Sequence, residues 1–522
     1  MKKFLAILLA AVMLCGSFSI AAAAEERETL SILIAEDTLI TSYDDNAFTT
    51  YVEEGANVDL EFVLLPATDT AAKLQLMISS GETLPDVLNY GMNLSKTYAY
   101  AQAGAIVPIT QYIETLAPNV MANVAAYPQV QILEQITCAD GEIYGLPRYF
   151  REINNEFKYR YWLNHQWLEN LGMAVPTTTE EFYQVLKAFK EKDPNGNGIA
   201  DEIPLTGAWS SHGSTYNLAA FLMNSFVQAT PGRDYLYVED GQMKAAYATE
   251  AWKQGLAYMN KLFEEGLIDA NAFTQTSSQC LASLSNPDVC IVGCYSVQGA
   301  KDPYIEQFDG LLPLAGPEGV QLSIYTPTTV GGIWFVTADC DNPELAVKVG
   351  DFMETEEGFL RCRVGEPGIS WVPAEEGDVS VFGEGEAVTF RWLDNGQMWT
   401  TAQNATWRQN APLFAYNGLN SQAAFDLIER EVKSNQNIVD LMPYAPAEGT
   451  YFNFLTYTED EEFAIADISS TLTTYVIESM VRFITGDMDV ENEWDAYVGE
   501  LQNIGLETFL EVAQAAYERQ PK

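Results

Sequence analysis

The sequence predicts an α/β protein with more than one lobe, and three observations support this class. A strand is predicted from Leu30 to Ala35, where Ile32, Leu33 and Ile34 are continuously apolar, and a second from Val58 to Leu65, and such runs are typical of strands covered on both faces, as in parallel sheets. Helical patterns alternate with such segments, which indicates β-α-β units. The chain has 522 residues, too many for a single hydrophobic core. We therefore expect at least two domains.

The first 24 residues have the pattern of a secretory signal. Lys2 and Lys3 precede an apolar run from Phe4 to Cys15, and Ala22 to Ala24 offers a cleavage site before Glu25. The run is short for a transmembrane helix. Cys15 leaves a lipid anchor open, but Leu14 stands where a lipoprotein signal carries a small residue. We expect an exported chain, outside the cell or at the envelope surface, and do not favour lipidation.

The charge balance is strongly acidic and excludes two classes of partner. Lys and Arg number 27 against 73 Asp and Glu, for a formal net charge of -46. Such a field repels nucleic acid and anionic membranes. The chain is also poor in cysteine after the signal, with residues 138, 280, 290, 294, 340 and 362, so we expect buried free thiols and no disulfide scaffold.

Further elements follow in order along the chain. A helix is predicted from Ala71 to Ser79, a short strand after Leu84, and a domain boundary at Asp140 to Pro147. An aromatic helix is predicted from Tyr161 to Leu171, closed by Gly172.

The second half of the chain reads as a mixture that becomes mostly helical. Thr179 is expected to cap a helix, and long helices are expected at residues 249–265, 421–434, 462–485 and 490–517, with another starting at Asn342. Strands are expected at residues 203–205, 289–292 and 334–337.

The stretch from Asp193 to Glu202 predicts a calcium loop. Its oxygen donors are spaced at alternate residues around Gly198, as Ca²⁺ requires, and its first half matches the D-x-[DN]-x-[DN]-G pattern. The second half departs, because position twelve falls at Pro204 and Glu202 must close the site. The other interpretation is an ordinary Asn/Gly turn. The expected ligands are Asp193, Asn195, Asn197, the Ile199 carbonyl, Asp201 and Glu202.

Catalytic motifs are not evident in the sequence. The two histidines, His165 and His212, have no evident partner, and we find no nucleophile elbow or phosphate loop. A carboxylate pair for glycoside hydrolysis stays open, because so many acids make any pair easy to propose. We expect a protein that is not an enzyme.

Aromatic residues in loops suggest a small-molecule cleft. Tyr90, Tyr149, Trp209 and Trp371 follow strands or turns, and Trp392, Trp399 and Trp407 lie in a polar stretch. Arg148 is a rare cation that could orient a polar ligand or pair with a surface acid. Each aromatic residue has packing as its alternative role. The predicted ligand contacts are Tyr90, Arg148, Tyr149, Trp209 and Trp371.

Several segments together resemble the extracellular solute-binding proteins of ABC importers, in the large oligosaccharide-binding branch with alginate-binding and lipoprotein-type sugar receptors. They occur in a consistent order over nearly the whole mature chain. The segments are residues 73–86, 140–147, 162–172, 176–182, 193–205, 263–269, 342–344, 365–371, 483–487 and 494–497.

The resemblance implies a two-lobe periplasmic-binding-protein-like fold, each lobe a mostly parallel sheet flanked by helices, with a helical C-terminal region. It implies a signal at 1–24, an N-lobe at 25–147, a C-lobe with the calcium loop at 148–328, a return to the N-lobe at 329–365, and a mostly C-lobe segment at 366–522. In that branch the Ca²⁺ is structural, and the tryptophan matching Trp371 often lies near the cleft.

The expected function is a monomeric receptor that delivers an oligosaccharide to the membrane permease of an ABC transporter. Low Lys and Arg content favours a neutral sugar over an acidic polymer. The alternatives are a receptor of the same fold for a peptide or another solute, or a secreted polysaccharide-degrading enzyme.

Overall fold

Two β-sheets with separate hydrophobic cores organise the chain. The computed structural model describes residues 27–209, 214–286, 288–299, 303–380, 388–393, 401–416 and 429–520. The signal segment with Cys15, as well as His212 and Trp399, therefore lies outside the described residues. Along the part of the chain that is described, no helix is both long and apolar enough to cross a membrane.

The strands are short and come from distant parts of the chain. In chain order they are β1 (Glu28–Ala35), β2 (Val58–Leu65), β3 (Val87–Met92), β4 (Gly145–Phe150), β5 (Tyr161–Asn164), β6 (Leu236–Glu239), β7 (Gln242–Ala245), β8 (Cys294–Ser296), β9 (Phe308–Leu311), β10 (Gly331–Val336), β11 (Trp371–Pro373), β12 (Phe390–Trp392) and β13 (Phe414–Ala415).

Helices cover the sheets. They are α1 (Ala47–Ala56), α2 (Thr70–Ser80), α3 (Leu94–Gln102), α4 (Thr110–Leu116), α5 (Pro118–Ala126), α6 (Ile132–Ile136), α7 (Ile153–Glu156), α8 (His165–Leu171), α9 (Thr179–Glu191), α10 (Leu218–Met223), α11 (Glu250–Glu264), α12 (Ser277–Leu284), α13 (Pro343–Met353), α14 (Glu356–Arg363), α15 (Glu429–Leu441), α16 (Glu459–Thr485), α17 (Trp494–Ile504) and α18 (Leu506–Glu518).

The first lobe is built on a six-stranded sheet in the order β13-β4-β10-β3-β1-β2. Only β10 is antiparallel to its neighbours β3 and β4, so this sheet is mostly parallel. Buried side chains of β1, such as Ile32 and Ile34, pack in a core with Phe48 and Trp334. Burial of β1 on both faces agrees with its apolar run from Ile32 to Ile34, whereas β2 lies at the edge of the sheet and exposes Val63 and Leu64.

The second lobe is built on a three-stranded sheet in the order β8-β5-β9, which is antiparallel. Parallel pairing in this lobe is confined to single bridges such as Ile203 with Val292 and Thr206 with Tyr295. Its core surrounds Trp252 and continues into α16 and α18. Within the predicted segment 366–522, Trp371, Phe390, Trp407 and Phe414 pack in the first core, whereas buried residues from Phe452 to Ala513 pack in the second.

The α/β class and several elements are confirmed. Strand β2 has the predicted bounds, and α11 begins after Thr249, whose side chain accepts a hydrogen bond from the Trp252 amide. The cap of α9 is Thr178, one residue earlier than predicted, because its hydroxyl accepts from the Glu181 amide at 3.1 Å. Each of the six described cysteines is a free thiol, as expected.

Other predicted elements are wrong. Tyr161 to Asn164 is the central strand β5, because hydrogen bonding to both β8 and β9 outweighs the helical pattern. Residues 289–292 form no regular strand, which begins instead at Cys294. Residues 203–205 make only isolated bridges. The predicted helix at 490–517 is two helices, separated where Gly505 has a φ of 119°.

Candidate functional site

A cleft of about 650 Å³ lies between the two lobes. The first lobe contributes the carboxyl end of β3, the beginning of α3 and the first residues of β10. The second lobe contributes residues 454–457 and the first turns of α16. Side chains that face it from both lobes include Asn93, Ser95, Tyr98, Gln135, Thr329, Phe335, Phe454, Tyr457, Glu459, Glu462 and Phe463.

Polar contacts join the lobes at this cleft. The Ser95 hydroxyl donates to the Glu462 carboxylate at 3.1 Å. A hydrogen bond with Glu459 raises the pKa of Tyr98 to about 12, because a phenolate beside that carboxylate is disfavoured. Two carboxylates on α16 therefore hold two hydroxyls on α3.

Aromatic and apolar surface covers the other walls of the cleft. The side chain of Phe463 is 90% exposed, which is unusual for a large apolar residue. Phe454 and Tyr457 lie on the same lobe, and Phe335 faces them from β10. Apolar walls with a few polar groups are typical of ligand-binding clefts.

The structure places the predicted contacts Tyr90 and Trp209 in partly buried positions. Tyr90 lies on β3 with the Lys96 ammonium 5.4 Å from its ring centroid. Trp209 is packed against Phe273, with ring centroids 5.9 Å apart.

Tyr149 and Trp371 are buried in the first lobe. Tyr149 stacks on Phe414, with ring centroids 5.3 Å apart. Trp371 is only 6% exposed, and its indole Nε1 donates to the Gly365 carbonyl at 2.7 Å. Neither residue lines the 650 Å³ cleft, and neither do Tyr90, Arg148 or Trp209. All five stay predictions as ligand contacts.

Sequence reasoning missed the residues that line this cleft. Phe463 gave a usable signal, since it is an aromatic residue that follows four consecutive acids from Glu459 to Glu462. Ser95 and Asn93 gave none, because an Asn or Ser at a helix start is commonly a cap. Asn93 is indeed the cap of α3.

The predicted calcium loop folds tightly on itself. Gly196 and Gly198 both have left-handed backbone angles, with φ of 73° and 75°. The Asp193 carboxylate accepts from the Gly198 amide at 2.8 Å, and the Asn197 side-chain amide donates to Asp201 at 3.1 Å. The loop thus places its carboxylates and amides around one short turn.

The donor set fits a hard cation. Burial, together with the nearby Asp201 and Asp193 carboxylates, raises the pKa of Glu202. One buried oxygen of Glu202, Oε1, has no hydrogen-bond partner. A cation among these oxygens would remove that repulsion. Across the described ranges, no three His, Cys, Asp or Glu side chains converge on a common metal position, so amide and carbonyl oxygens would have to complete the set.

Two α/β lobes with several chain crossings and a cleft between them are the architecture of a solute-binding protein. The chain belongs to the family of bacterial extracellular solute-binding proteins, whose family model matches residues 36–358. This confirms the family resemblance.

A relative in sequence and structure is the fructooligosaccharide ABC transporter substrate-binding protein FusA of Streptococcus pneumoniae. It is 25% identical over 95% of this chain and 91% of its own length. Its structure in complex with kestose has a TM-score of 0.76, covering 94% of this chain and 99% of FusA.

Two further solved structures support the fold. One is an HMO-binding, ABC-transporter-associated solute-binding protein of Bifidobacterium longum infantis, at 19% identity and a TM-score of 0.79 over 94% of this chain and 99% of that one. The other is the alginate-binding protein AlgQ2 without calcium ion, at 22% identity and a TM-score of 0.69 over 95% and 99%.

Proposed function

We propose that this protein is the substrate-binding receptor of an ABC importer and that it captures an oligosaccharide between its lobes. The carrying observation is the cleft of about 650 Å³ with aromatic and polar walls from both lobes. Its volume suits a ligand of a few sugar units, since ligand pockets measure roughly 300–1,000 Å³. FusA, similar over nearly the whole chain, is named as a fructooligosaccharide receptor, which supports the same class of ligand.

The mechanism is non-covalent capture. Aromatic side chains such as Phe463 and Tyr457 stack on the apolar faces of sugar rings, and Asn93 and Thr329 hydrogen-bond to hydroxyl groups. Closure of the lobes brings α3 and α16 together and excludes water from the ligand. The closed complex then presents the sugar to the permease subunits. No covalent step is required, and we infer that the protein releases its ligand unchanged.

The predicted contacts Tyr90, Arg148, Tyr149, Trp209 and Trp371 are retained in this proposal. Tyr90 and Arg148 lie on strands that end at the same edge of the first sheet as the cleft residue Met92. Trp209 lies in the second lobe. Tyr149 and Trp371 would act from within the core, by shaping the first-lobe surface.

Calcium is proposed as a structural ion in the second lobe. Asp193, Asn195, Asn197, the Ile199 carbonyl, Asp201 and Glu202 would hold it, and the ion would supply positive charge that stiffens the turn after α9. One structure of FusA is that of an EF-hand mutant in complex with fructo-nystose, and the AlgQ2 structure is that of the protein without calcium ion. Both related proteins therefore support a calcium site in this chain.

We also propose that the protein is exported and that its mature chain begins near Glu25. The mature chain acts as a monomer. Mass spectrometry of the secreted protein would test this, because retention of residues 1–24 or lipidation at Cys15 changes the mass.

A binding screen tests the function. Thermal shift and calorimetry with neutral and acidic oligosaccharides should show one-to-one binding, and chromatography of the sugars should show no products. Cleavage of the sugar would contradict the receptor function and indicate a polysaccharide-degrading enzyme. Binding of peptides instead of sugars would keep the receptor function but contradict carbohydrate as the class of ligand.

A further inference from the structure

Arg148 lies at the edge of the first-lobe sheet that borders the cleft. It pairs in register with Gly331 of β10, a residue that lines the cleft. A methyl group placed on Gly91, at the end of β3, would lie 3.4 Å from Nη2 of Arg148. Gly91 is exposed. The guanidinium is therefore partly buried, with glycine as its neighbour on the exposed side.

Backbone conformation does not explain this glycine. The φ angle of Gly91 is not positive, so its backbone conformation would also allow a residue with a side chain. Its lack of a side chain instead keeps space open beside the guanidinium. Gly331, the register partner of Arg148, also faces open space, because an added methyl there would meet no atom within 4 Å.

The charge of Arg148 is not balanced by the described residues. Its recorded hydrogen bond runs from Nη1 to the Gln409 carbonyl at 3.4 Å, and no described carboxylate lies within ion-pair distance of it. The neighbouring Arg363 donates to Glu152 at 2.6 Å and to the Gln409 side chain at 2.9 Å. The nearby carboxylate of Glu152 is therefore paired with Arg363 and not with Arg148.

This arrangement is costly for the folded protein. Burial and the like charge of Arg363 lower the pKa of Arg148. A partly buried cation without a counter-ion lowers the stability of the folded protein. Its presence therefore suggests a role other than stability. The chain has 73 acidic residues, yet the described ones leave this cation unpaired. An anion supplied by a ligand would complete the pair.

We propose that Arg148, backed by Arg363, binds an anionic oxygen group of the ligand, so that the carbohydrate carries a carboxylate or an equivalent anionic substituent. This inference rests on the proposed carbohydrate-receptor function and narrows its substrate class. Overall composition predicts a neutral sugar, but composition does not report where the few cations lie. A planar guanidinium recognises carboxylate and phosphate oxygens through paired hydrogen bonds.

The test compares a charged sugar with its neutral form on the full mature chain. The probes are trigalacturonate, its methyl ester, a neutral trisaccharide such as kestose, and a sugar phosphate, each titrated by calorimetry. The acid should bind about 10- to 100-fold more tightly than its ester, as expected for hydrogen bonds to a charged group. Tighter binding of the sugar phosphate than of the uronate would assign the anion as a phosphate and still support the proposal.

Variants separate the role of Arg148 from loss of charge in general. Arg148→Gln should abolish the preference for the acid over the ester, and Arg148→Lys should retain part of it. Arg361→Gln is the matched control, because Arg361 is a cation of the same lobe that pairs with Glu357 on the helix surface at 2.8 Å. Melting temperatures identify any variant that fails to fold. If Arg148→Gln does not fold, the preference for acid over ester is compared between Arg148→Lys and the parent chain.

Two outcomes overturn the proposal and are distinguishable. Equal affinity for acid and ester, or tight binding of neutral sugars alone, removes the anionic subsite but leaves the carbohydrate receptor intact. Absence of binding to any carbohydrate, charged or neutral, removes the proposed function itself and this inference with it.

Discussion

The Ser95 hydroxyl at the start of α3 donates a hydrogen bond to the Glu462 carboxylate on α16, at 3.1 Å to Oε1 and 3.2 Å to Oε2. The two residues belong to different lobes and both line the cleft. In the proposed receptor this contact forms when the lobes close, so it contributes to the closed state without requiring contact with the sugar.

Breaking this contact should weaken ligand binding modestly. Glu462→Ala and Ser95→Ala each remove an exposed interlobe hydrogen bond, so we expect oligosaccharide affinity to fall about two- to five-fold with little change in melting temperature. The double variant should fall no further than the stronger single one. Calorimetry measures the affinities, and additive losses would show that the two residues act separately.

Phe463 should be a stacking surface for the sugar. Its side chain is 90% exposed and lines the cleft, so Phe463→Ala should weaken oligosaccharide binding about ten-fold without lowering stability. Leu76→Ala is the control, because Leu76 is 66% exposed and does not line this cleft. An affinity unchanged by the Phe463 substitution would exclude this residue from the binding surface.

Trp371 should affect binding through the shape of the first lobe. Trp371→Ala removes a buried side chain whose indole donates to Gly365, so we expect a loss of about 3 kcal/mol in stability and several-fold weaker binding. Chemical denaturation and calorimetry measure the two effects. A stable variant with unchanged affinity would remove Trp371 from the predicted site.

Calcium should stabilise the second lobe. Asp193→Ala combined with Asp201→Ala should remove the rise in melting temperature that Ca²⁺ gives to the parent chain, because both carboxylates belong to the proposed donor set. The sugar affinity of the folded variant should be nearly the same as that of the parent chain, since the loop is separate from the cleft.

The calcium prediction has a direct control. Asp288→Ala removes an exposed carboxylate of the same lobe outside the loop and should leave the response to Ca²⁺ intact. If the parent chain melts at the same temperature with calcium and with chelator, the turn carries no structural ion.

Glu354 should make stability fall as pH rises. Its carboxyl group is 1% exposed, neither oxygen has a hydrogen-bond partner, and burial followed by the Asp351 charge raises its pKa well above 4.5. The native state therefore keeps a proton that the unfolded state loses, so this group costs about 1.4 kcal/mol per pH unit from 4.5 up to its folded pKa. Glu354→Gln should remove that slope and raise stability at pH 7.

Urea denaturation between pH 4.5 and 7.5 measures the Glu354 effect. Glu344→Gln is the control, because Glu344 is an exposed residue of α13 that pairs with Lys348. Parallel pH profiles for the parent chain and Glu354→Gln would mean that Glu354 gains a partner in solution.

Local patterns were reliable where burial and local sequence agree. The segment from Val58 to Leu65 was predicted as a strand with the bounds of β2, and Thr249 marked the start of α11. Tyr161 to Asn164 failed, because its neighbours β8 and β9 lie more than 130 residues later in the chain at Cys294 and Phe308. Distant pairing decided that segment, and no local window contains it.

By itself, the sequence determined the α/β class, the family resemblance, the acidic surface and the oxygen-rich turn at Asp193 to Glu202, because each depends on residues close together in the chain. Only the tertiary structure decided which side chains face the cleft. Ser95 and Glu462 are 367 residues apart, and Arg148 meets Gln409 across 261 residues. Such contacts depend on how the lobes fold and close, so their roles could be inferred only after the chain was assembled.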